Sequence, residues 1–352
     1  MKMRNQHINE HHRAFVTYVR TKMFLKTRFR GIEGRQSVFI SNTEIEKRFF
    51  PYPALNKKQE LATLVKNGEI AITEVLRPDK SKFFLYEALK RGPIDLSMLI
   101  PIAEFEDDLI MKMKGSLTKV SLPFGAPSTP YFDLFLKHKD KYLNLFFRVD
   151  DFSGRVHTPV TSFKGDFRKN ILIDRCCTCS IDVATMQPLL LGKILADNIG
   201  PNQFSDWINA GEDIYQVFQK MLKLNHRDEA KKRFFEVLFA PPNNYLVKIF
   251  GQSEWIEWIN KYKTTFLKLN PHCKVKPHSN LAWLLQSTEV KLMRKVWQQL
   301  TKSGIPFLSV HDEVIIKYTD TEVAEIIMQE IFKKYFAFFK LSISPAGDCD
   351  IE

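Results

Sequence analysis

No apolar run in this sequence approaches the roughly 18–20 residues that a helix needs to cross a bilayer, so a helical membrane span is not expected. The N-terminus, Met1 to Arg35, is basic but has no apolar core of the secretory-signal kind, and export is not expected either. Cysteine is scarce. Five in 352 residues, an odd number, speak for a reducing compartment rather than a disulfide scaffold, with the cytoplasm as the expectation. Internal repeats and long low-complexity stretches are absent, which argues against solenoids and fibrous arrays. Acid is the minority charge, with 40 Asp+Glu against 52 Lys+Arg, a formal net charge of +12. Such an excess attracts polyanions, whether nucleic acid, an anionic membrane face or an acidic protein, and is silent about fold.

What is present is apolar material, 44% of the chain, enough for one or two cores in two or three structural units. Residues 1–36 are dense in Arg, Lys and His and read as a basic arm or an exposed helix. Residues 37–149 read as an α+β and helical region. It has short helices around Thr43–Phe50 and Asn56–Lys66, then a hairpin of Ala71–Leu76 and Phe83–Ala88 around the turn Arg77-Pro78-Asp79-Lys80. Helix, helix, hairpin suits a small winged-helix-like nucleic-acid binder, and equally a small α+β lobe of another use. From Leu96 to Phe147 the apolar spacing is mostly helical. After Gly154 strands alternate with helices: Ile171–Val183 as one buried strand, then helices at Pro188–Ala196, Ile214–Leu224, Arg227–Phe239 and Leu281–Leu300. A hairpin, Phe307–His311 with Val314–Tyr318, precedes a long helix Glu322–Phe339 behind a Thr319/Asp320 cap. The fold class expected is α+β.

Four elements of residues 150–352 carry chemistry. Asp182 ends an apolar strand, as a metal ligand or a strand cap would. Arg227, Lys231, Phe235 and Phe239 recur every four residues, about 400° of helix, and make one slowly drifting stripe, basic at its N-terminal end and aromatic at the other. A bound triphosphate would meet cations with its phosphates and flat rings with its base or sugar; a solvated amphipathic face would show the same pattern. Gln286 opens a helix and could read minor-groove acceptors, which every base pair offers. Finally, Ser309-Val310-His311-Asp312-Glu313-Val314 puts three polar groups at the tip of an apolar hairpin, which packing does not explain. Two carboxylates 4 Å apart repel by about 4 kcal/mol at an effective dielectric of 20, and two Mg²⁺ would reverse that sign. The run Cys176-Cys177-Thr178-Cys179 is a poor zinc site, because strand neighbours alternate in direction and no matching Cys/His pair has finger-like spacing.

In this order the elements resemble the polymerase domain of the DNA polymerase I type (family A) over roughly residues 150–352. Asp182 falls at that family's motif A aspartate and His311-Asp312-Glu313 at its motif C. Arg227, Lys231, Phe235 and Phe239 match its Arg-x3-Lys-x3-Phe-x3-Tyr helix, with Phe in place of the final Tyr. Gly211-Glu-Asp213-Ile214-Tyr215 resembles the Gly-x-Asp-Ile-His segment before that helix, and Leu341-Ser-Ile-Ser-Pro-Ala-Gly347 the closing strand. The resemblance implies a right-hand polymerase with an antiparallel-sheet palm, helical fingers at about 198–280 and residues 1–149 in the thumb position. It implies template-directed addition of dNTPs to a primer 3′ end by two-metal phosphoryl transfer, with primer–template DNA as partner and no membrane. No paired-acid proofreading motif is present. Asp182, Val183 and Asp312 would hold two Mg²⁺, or Mn²⁺, with Glu313 as an auxiliary acid. Lys231 and Arg227 would neutralise the triphosphate, Phe235 would flank the sugar and Phe239 the nascent pair. Gln187 would be the sugar gate, Gln286 a minor-groove contact, His311 a contact to the primer terminus and Arg155 one to the primer–template.

The chain departs from the family where Gln187 replaces a Glu, where Phe239-Ala240 replaces Tyr-Gly, and in the short interval from Lys231 to Asp312. Ser153-Gly-Arg155-Val-His-Thr158 resembles two adjacent motifs fused into one. Two other functions fit these residues: a single-subunit-type RNA polymerase or primase, and a catalytically weak, polymerase-derived replication protein. Glu313 favours DNA synthesis over the first, and the retained Asp182, Lys231 and Asp312 speak against the second.

Overall fold

The computed structural model describes residues 12, 15–20, 38–39, 57–76, 82–88, 107–242, 247, 253–265 and 277–345. The expected helix at Thr43–Phe50 and the turn Arg77–Lys80 lie outside them. The protein is α+β with antiparallel sheets. It divides into two compact units, 1–106 with 127–147, and 107–126 with 148–352. Residues 107–126, expected with the N-terminal region, therefore belong to the second unit. Among the described residues no helix is long and apolar enough to cross a membrane.

In the first unit, strand β1 (Val38–Phe39), helix α1 (Lys57–Lys66) and strands β2 (Ile70–Leu76) and β3 (Lys82–Ala88) form a helix and a three-stranded sheet in the order β1-β3-β2. Residues 1–36 read as a basic arm or an exposed helix, and the part of them that is described, residues 12 and 15–20, is helical but not exposed. Phe15, Val16, Tyr18 and Val19 are buried. Phe15 meets Tyr86 of β3 edge-on at 5.7 Å, and His12 bonds Glu60 of α1 at 2.8 Å. These four apolar residues sit at helical spacing, and their burial outweighs the surrounding charge.

The second unit is built on a six-stranded sheet, with a separate two-stranded one of β5 (Arg148–Val149) and β6 (Val156–His157). Helix α2 (Asp108–Thr118) leads into β4 (Val120–Ser121), and the later strands are β7 (Leu172–Ile173), β8 (Cys176–Val183), β9 (Phe307–Val310), β10 (Glu313–Lys317) and β11 (Leu341–Pro345). Their order is β4-β7-β8-β10-β9, and β11 also pairs with β8. β8 is the spine: β10 runs along one edge, while β7 and then β11 occupy the other. From Cys179 onward β8 alternates, with Cys179, Ile181 and Val183 buried and Ser180 and Asp182 on the opposite face. The single strand expected over Ile171–Val183 is in fact β7 and β8, joined by Asp174-Arg175. Both residues have positive φ, 51° and 65°, as a two-residue primed turn requires. No Gly or Asn signals that turn; the Asp174 carboxylate is held instead by Lys317 at 2.9 Å and Lys119 at 3.5 Å. Cys177 is disulfide-bonded, whereas Cys176 and Cys179 are free. The expectation of reduced thiols therefore fails at Cys177.

The helices of this unit include α6 (Met186–Ile199), α8 (Ile214–Met221), α9 (Arg227–Phe239), α11 (Asn280–Lys302) and α12 (Thr321–Phe332); α2 packs on β9, and α12 on β8 and β10. Helix α12 ends earlier than the Phe339 expected, because the chain turns back so that Phe336 and Phe339 pack on Phe332, at 6.0 and 5.8 Å. Asp320 makes no side-chain capping bond there.

Candidate active site

The hairpin of β9 and β10 closes with two residues, His311-Asp312, since Val310 and Glu313 are already paired. His311 has φ +60°. Glycine is usual where the first turn residue has positive φ, and a larger side chain there costs about 1 kcal/mol or more. Glu313 is in turn the ladder partner of Asp182, so the tip carries Asp312 to the end of β8, beside Asp182. Burial raises the pKa of both acids. Asp312 and Glu313 push Asp182 further up and Lys231 draws it down; Glu313 pushes Asp312 up while Arg155 and Lys231 draw it down. A site of crowded carboxylate oxygens that resist ionising together suits a hard divalent cation, whose charge would remove the repulsion. Asp182, Asp312 and the backbone of Val183 are the groups that would hold it.

These acids form one wall of a cleft of about 480 Å³. The facing wall is α9. Its buried side carries Ala230, Phe234 and Leu238, which leaves Arg227, Lys231, Phe235 and Phe239 on the cleft. Phe235 and Phe239 stack at 5.6 Å with 23° between their planes. Arg227 lies over the Tyr215 ring at 4.9 Å and Lys231 over the same ring at 5.7 Å. Arg227 Nε also bonds Asp213 Oδ2 at 2.7 Å, and Asp213 Oδ1 caps α8 by accepting from Tyr215 N at 2.9 Å. Lys231 makes no ion pair among the described residues.

Arg155, Val183, Gln187, Gln286 and His311 also line this cleft. Glu313 does not. It lines a second cavity of about 480 Å³ that shares Asp182, His311 and Asp312 with the first, and its carboxylate accepts from Arg168 at 3.0 Å. Burial, helped by Arg155, His157 and Arg168, lowers the His311 pKa to about 4, so this ring is neutral. His157 stands 6.4 Å from it, ring to ring, and is itself tied to Asp150 at 3.1 Å.

Of the cleft residues that the sequence does not single out as site residues, Tyr215 and Glu289 hold others in place. Tyr215 supplies the ring beneath both cations, and burial raises the pKa of its hydroxyl; it stands in the Gly211–Tyr215 segment, whose role was left unassigned. Glu289, three residues after Gln286 on α11, lies on the cleft as well. Its carboxylate accepts from Arg155 Nε at 2.9 Å and Nη2 at 2.8 Å, and from Gln187 Nε2. Burial raises its pKa despite Arg155. Two of the three guanidinium nitrogens of Arg155 are thus turned to Glu289, although Arg155 was expected to face a primer–template. The Gln187 amide is likewise engaged, and its Oε1 is buried without a partner among the described residues.

No protein-family model matches this chain, and no curated protein is significantly similar to it.

Proposed function

We propose that this protein is a template-directed DNA polymerase of the family A type that extends a primer 3′ end with dNTPs and has no proofreading exonuclease. The observation that carries the reading is the meeting, in one cleft, of the Asp182–Asp312 pair with the cationic and aromatic stripe of α9. A nucleoside triphosphate spans just such a change of chemistry, from anionic phosphates to a flat base. Lys231 is the cleft cation with no ion pair among the described residues and would take the most charge from the phosphates. Arg227, oriented by Asp213 and Tyr215, would take a second share. Phe235 and Phe239, already stacked, offer a flat surface to the sugar and base. Gln286 would meet the minor-groove edge of the nascent pair, and neutral His311 the primer terminus.

Two Mg²⁺, or Mn²⁺, when bound would supply activation of the primer hydroxyl and neutralisation of the leaving pyrophosphate. Asp182, Val183 and Asp312 would hold them. In this reading the sheet around β8 is the palm, 198–280 the fingers, and the N-terminal region takes the thumb position in the chain order. The net charge of +12 matches a polyanionic partner.

Primer extension tests the reading directly: a labelled primer, with and without template, given Mg²⁺ and either dNTPs or NTPs. Template-copying growth with dNTPs is expected, and a mismatched 3′ nucleotide should persist when dNTPs are withheld. Absence of extension with any nucleotide, or faster growth with NTPs than dNTPs, would overturn it.

A further inference from the structure

Glu289 is the least exposed acid among the described residues, at 1% exposure. It is reached from two directions by residues far away in sequence, Arg155 from 134 positions off and Gln187 from 102. An apolar side chain of similar volume generally stabilises such a place as well as a buried ion pair does, or better. Packing therefore does not account for a carboxylate here, and what the carboxylate does is fix two other side chains. It anchors the Arg155 guanidinium through two nitrogens and the Gln187 amide through Nε2. Gln187 cannot swing without giving up that bond, which would leave both of its amide atoms unsatisfied. Both anchored residues line the cleft that also holds Asp182 and Lys231.

We propose that Glu289 is a positioning residue for sugar selection: by tethering Gln187 to α11, it makes that wall of the nucleotide cleft unyielding to an additional sugar hydroxyl. The proposal rests on the nucleotidyl-transfer reading above. A wall made by one flexible amide rejects a 2′-hydroxyl only as firmly as the amide is held, since a free glutamine escapes the contact by changing rotamer. The tether removes that escape.

The measurement is the ratio of kcat/KM for dNTP to that for the matching NTP in primer extension, which does not depend on the fraction of active protein. Glu289→Ala should lower the ratio about tenfold, within the range of discrimination a small group achieves in a pocket. Glu289→Gln keeps the shape but turns one acceptor into a donor facing donors, and should lower it by a smaller factor. Gln187→Ala should lower the ratio too, and adding Glu289→Ala to it should produce no further loss, because the tether then has nothing to hold. A wild-type ratio in Glu289→Ala, or an equal loss from it in the Gln187→Ala background, would overturn the assignment while leaving the polymerase reading intact. A wild-type protein that extends with neither nucleotide class overturns both.

Discussion

Glu313 is the cross-strand partner of Asp182 in the β8–β10 ladder, and its carboxylate is turned to Arg168. Of the three acids at this corner, only Asp182 and Asp312 therefore line the cleft. Asp182→Ala and Asp312→Ala should each reduce nucleotide addition by more than about a hundredfold, since residues that merely support metal ligands already account for 10–100-fold. Affinity for primer–template should stay within a few fold. Glu313→Gln should be milder than either. Single-turnover extension and a binding titration read the two quantities, and wild-type turnover in either Asp variant would refute the metal assignment.

Lys231→Ala should lower kcat/KM for dNTPs about a hundredfold through loss of charge stabilisation, without changing the melting temperature. Asp213→Asn should be a mixed variant. It weakens the hold on Arg227, and its effect on the α8 cap costs at most about 1 kcal/mol. Kinetics beside thermal melting separates the two; if Lys231→Ala melts normally and turns over normally, α9 is an ordinary surface helix.

The contrast between α9 and Glu289 shows where sequence reading ends. The stripe is legible because a helix repeats: four-residue spacing puts Arg227, Lys231, Phe235 and Phe239 on one side whatever surrounds them. Asp312 is legible because the apolar runs on either side of it mark two strands and leave it at the tip between them. Glu289 resembles any other helical glutamate until the fold brings Arg155 and Gln187 to it, and that meeting has no local signature. The Asp174-Arg175 turn went unread for a related reason. Its stabilisers, Lys119 and Lys317, come from elsewhere in the chain, and the turn itself has no glycine or asparagine to announce it.

Acid should unfasten the hairpin of β5 (Arg148–Val149) and β6 (Val156–His157). Burial alone would raise the Asp150 pKa, but the bond from His157 and those from Ser153 outweigh it and hold the carboxyl well below its usual range. A depressed folded pKa stabilises the fold above the ordinary carboxylate value, near 3.9, and that contribution is lost as pH falls through the folded value. Asp150→Asn should therefore reduce stability by about 1–2 kcal/mol at pH 7, with the gap from wild type closing towards pH 2. Urea melts at pH 7, 4 and 2.5 would show it; a gap that is constant with pH would mean the bonds do not favour the ionised form.

Phe15 tests the corrected N-terminus. Fully buried against Tyr86, it should cost about 3–5 kcal/mol when cut to alanine, with the loss confined to the first unit. Hydrogen exchange resolved along the chain would report faster exchange in β2 and β3. Unchanged protection there would return this segment to the surface.

If the excess of cations grips a duplex, log affinity should fall linearly with log salt, by about 0.9 per phosphate contacted on B-form DNA. A titration between 50 and 300 mM salt, on the order of two Debye regimes, suffices. A flat response would mean that the +12 charge is not spent on phosphates.

The edge of β8 that β11 fills has a consequence for synthesis. Until the ribosome has made Leu341–Pro345, the strand bearing Asp182 presents an open row of amides and carbonyls along the distal half of that edge. Ser342, the partner of Asp182 in the β8–β11 ladder, borders both cavities and arrives only with β11. Nascent chains stopped before Leu341 would carry the acids and the stripe yet lack a closed site, and their bare edge invites pairing between chains. Accumulation of folded protein should thus depend steeply on synthesis reaching Pro345, with termination before Leu341 giving aggregate rather than a closed cleft.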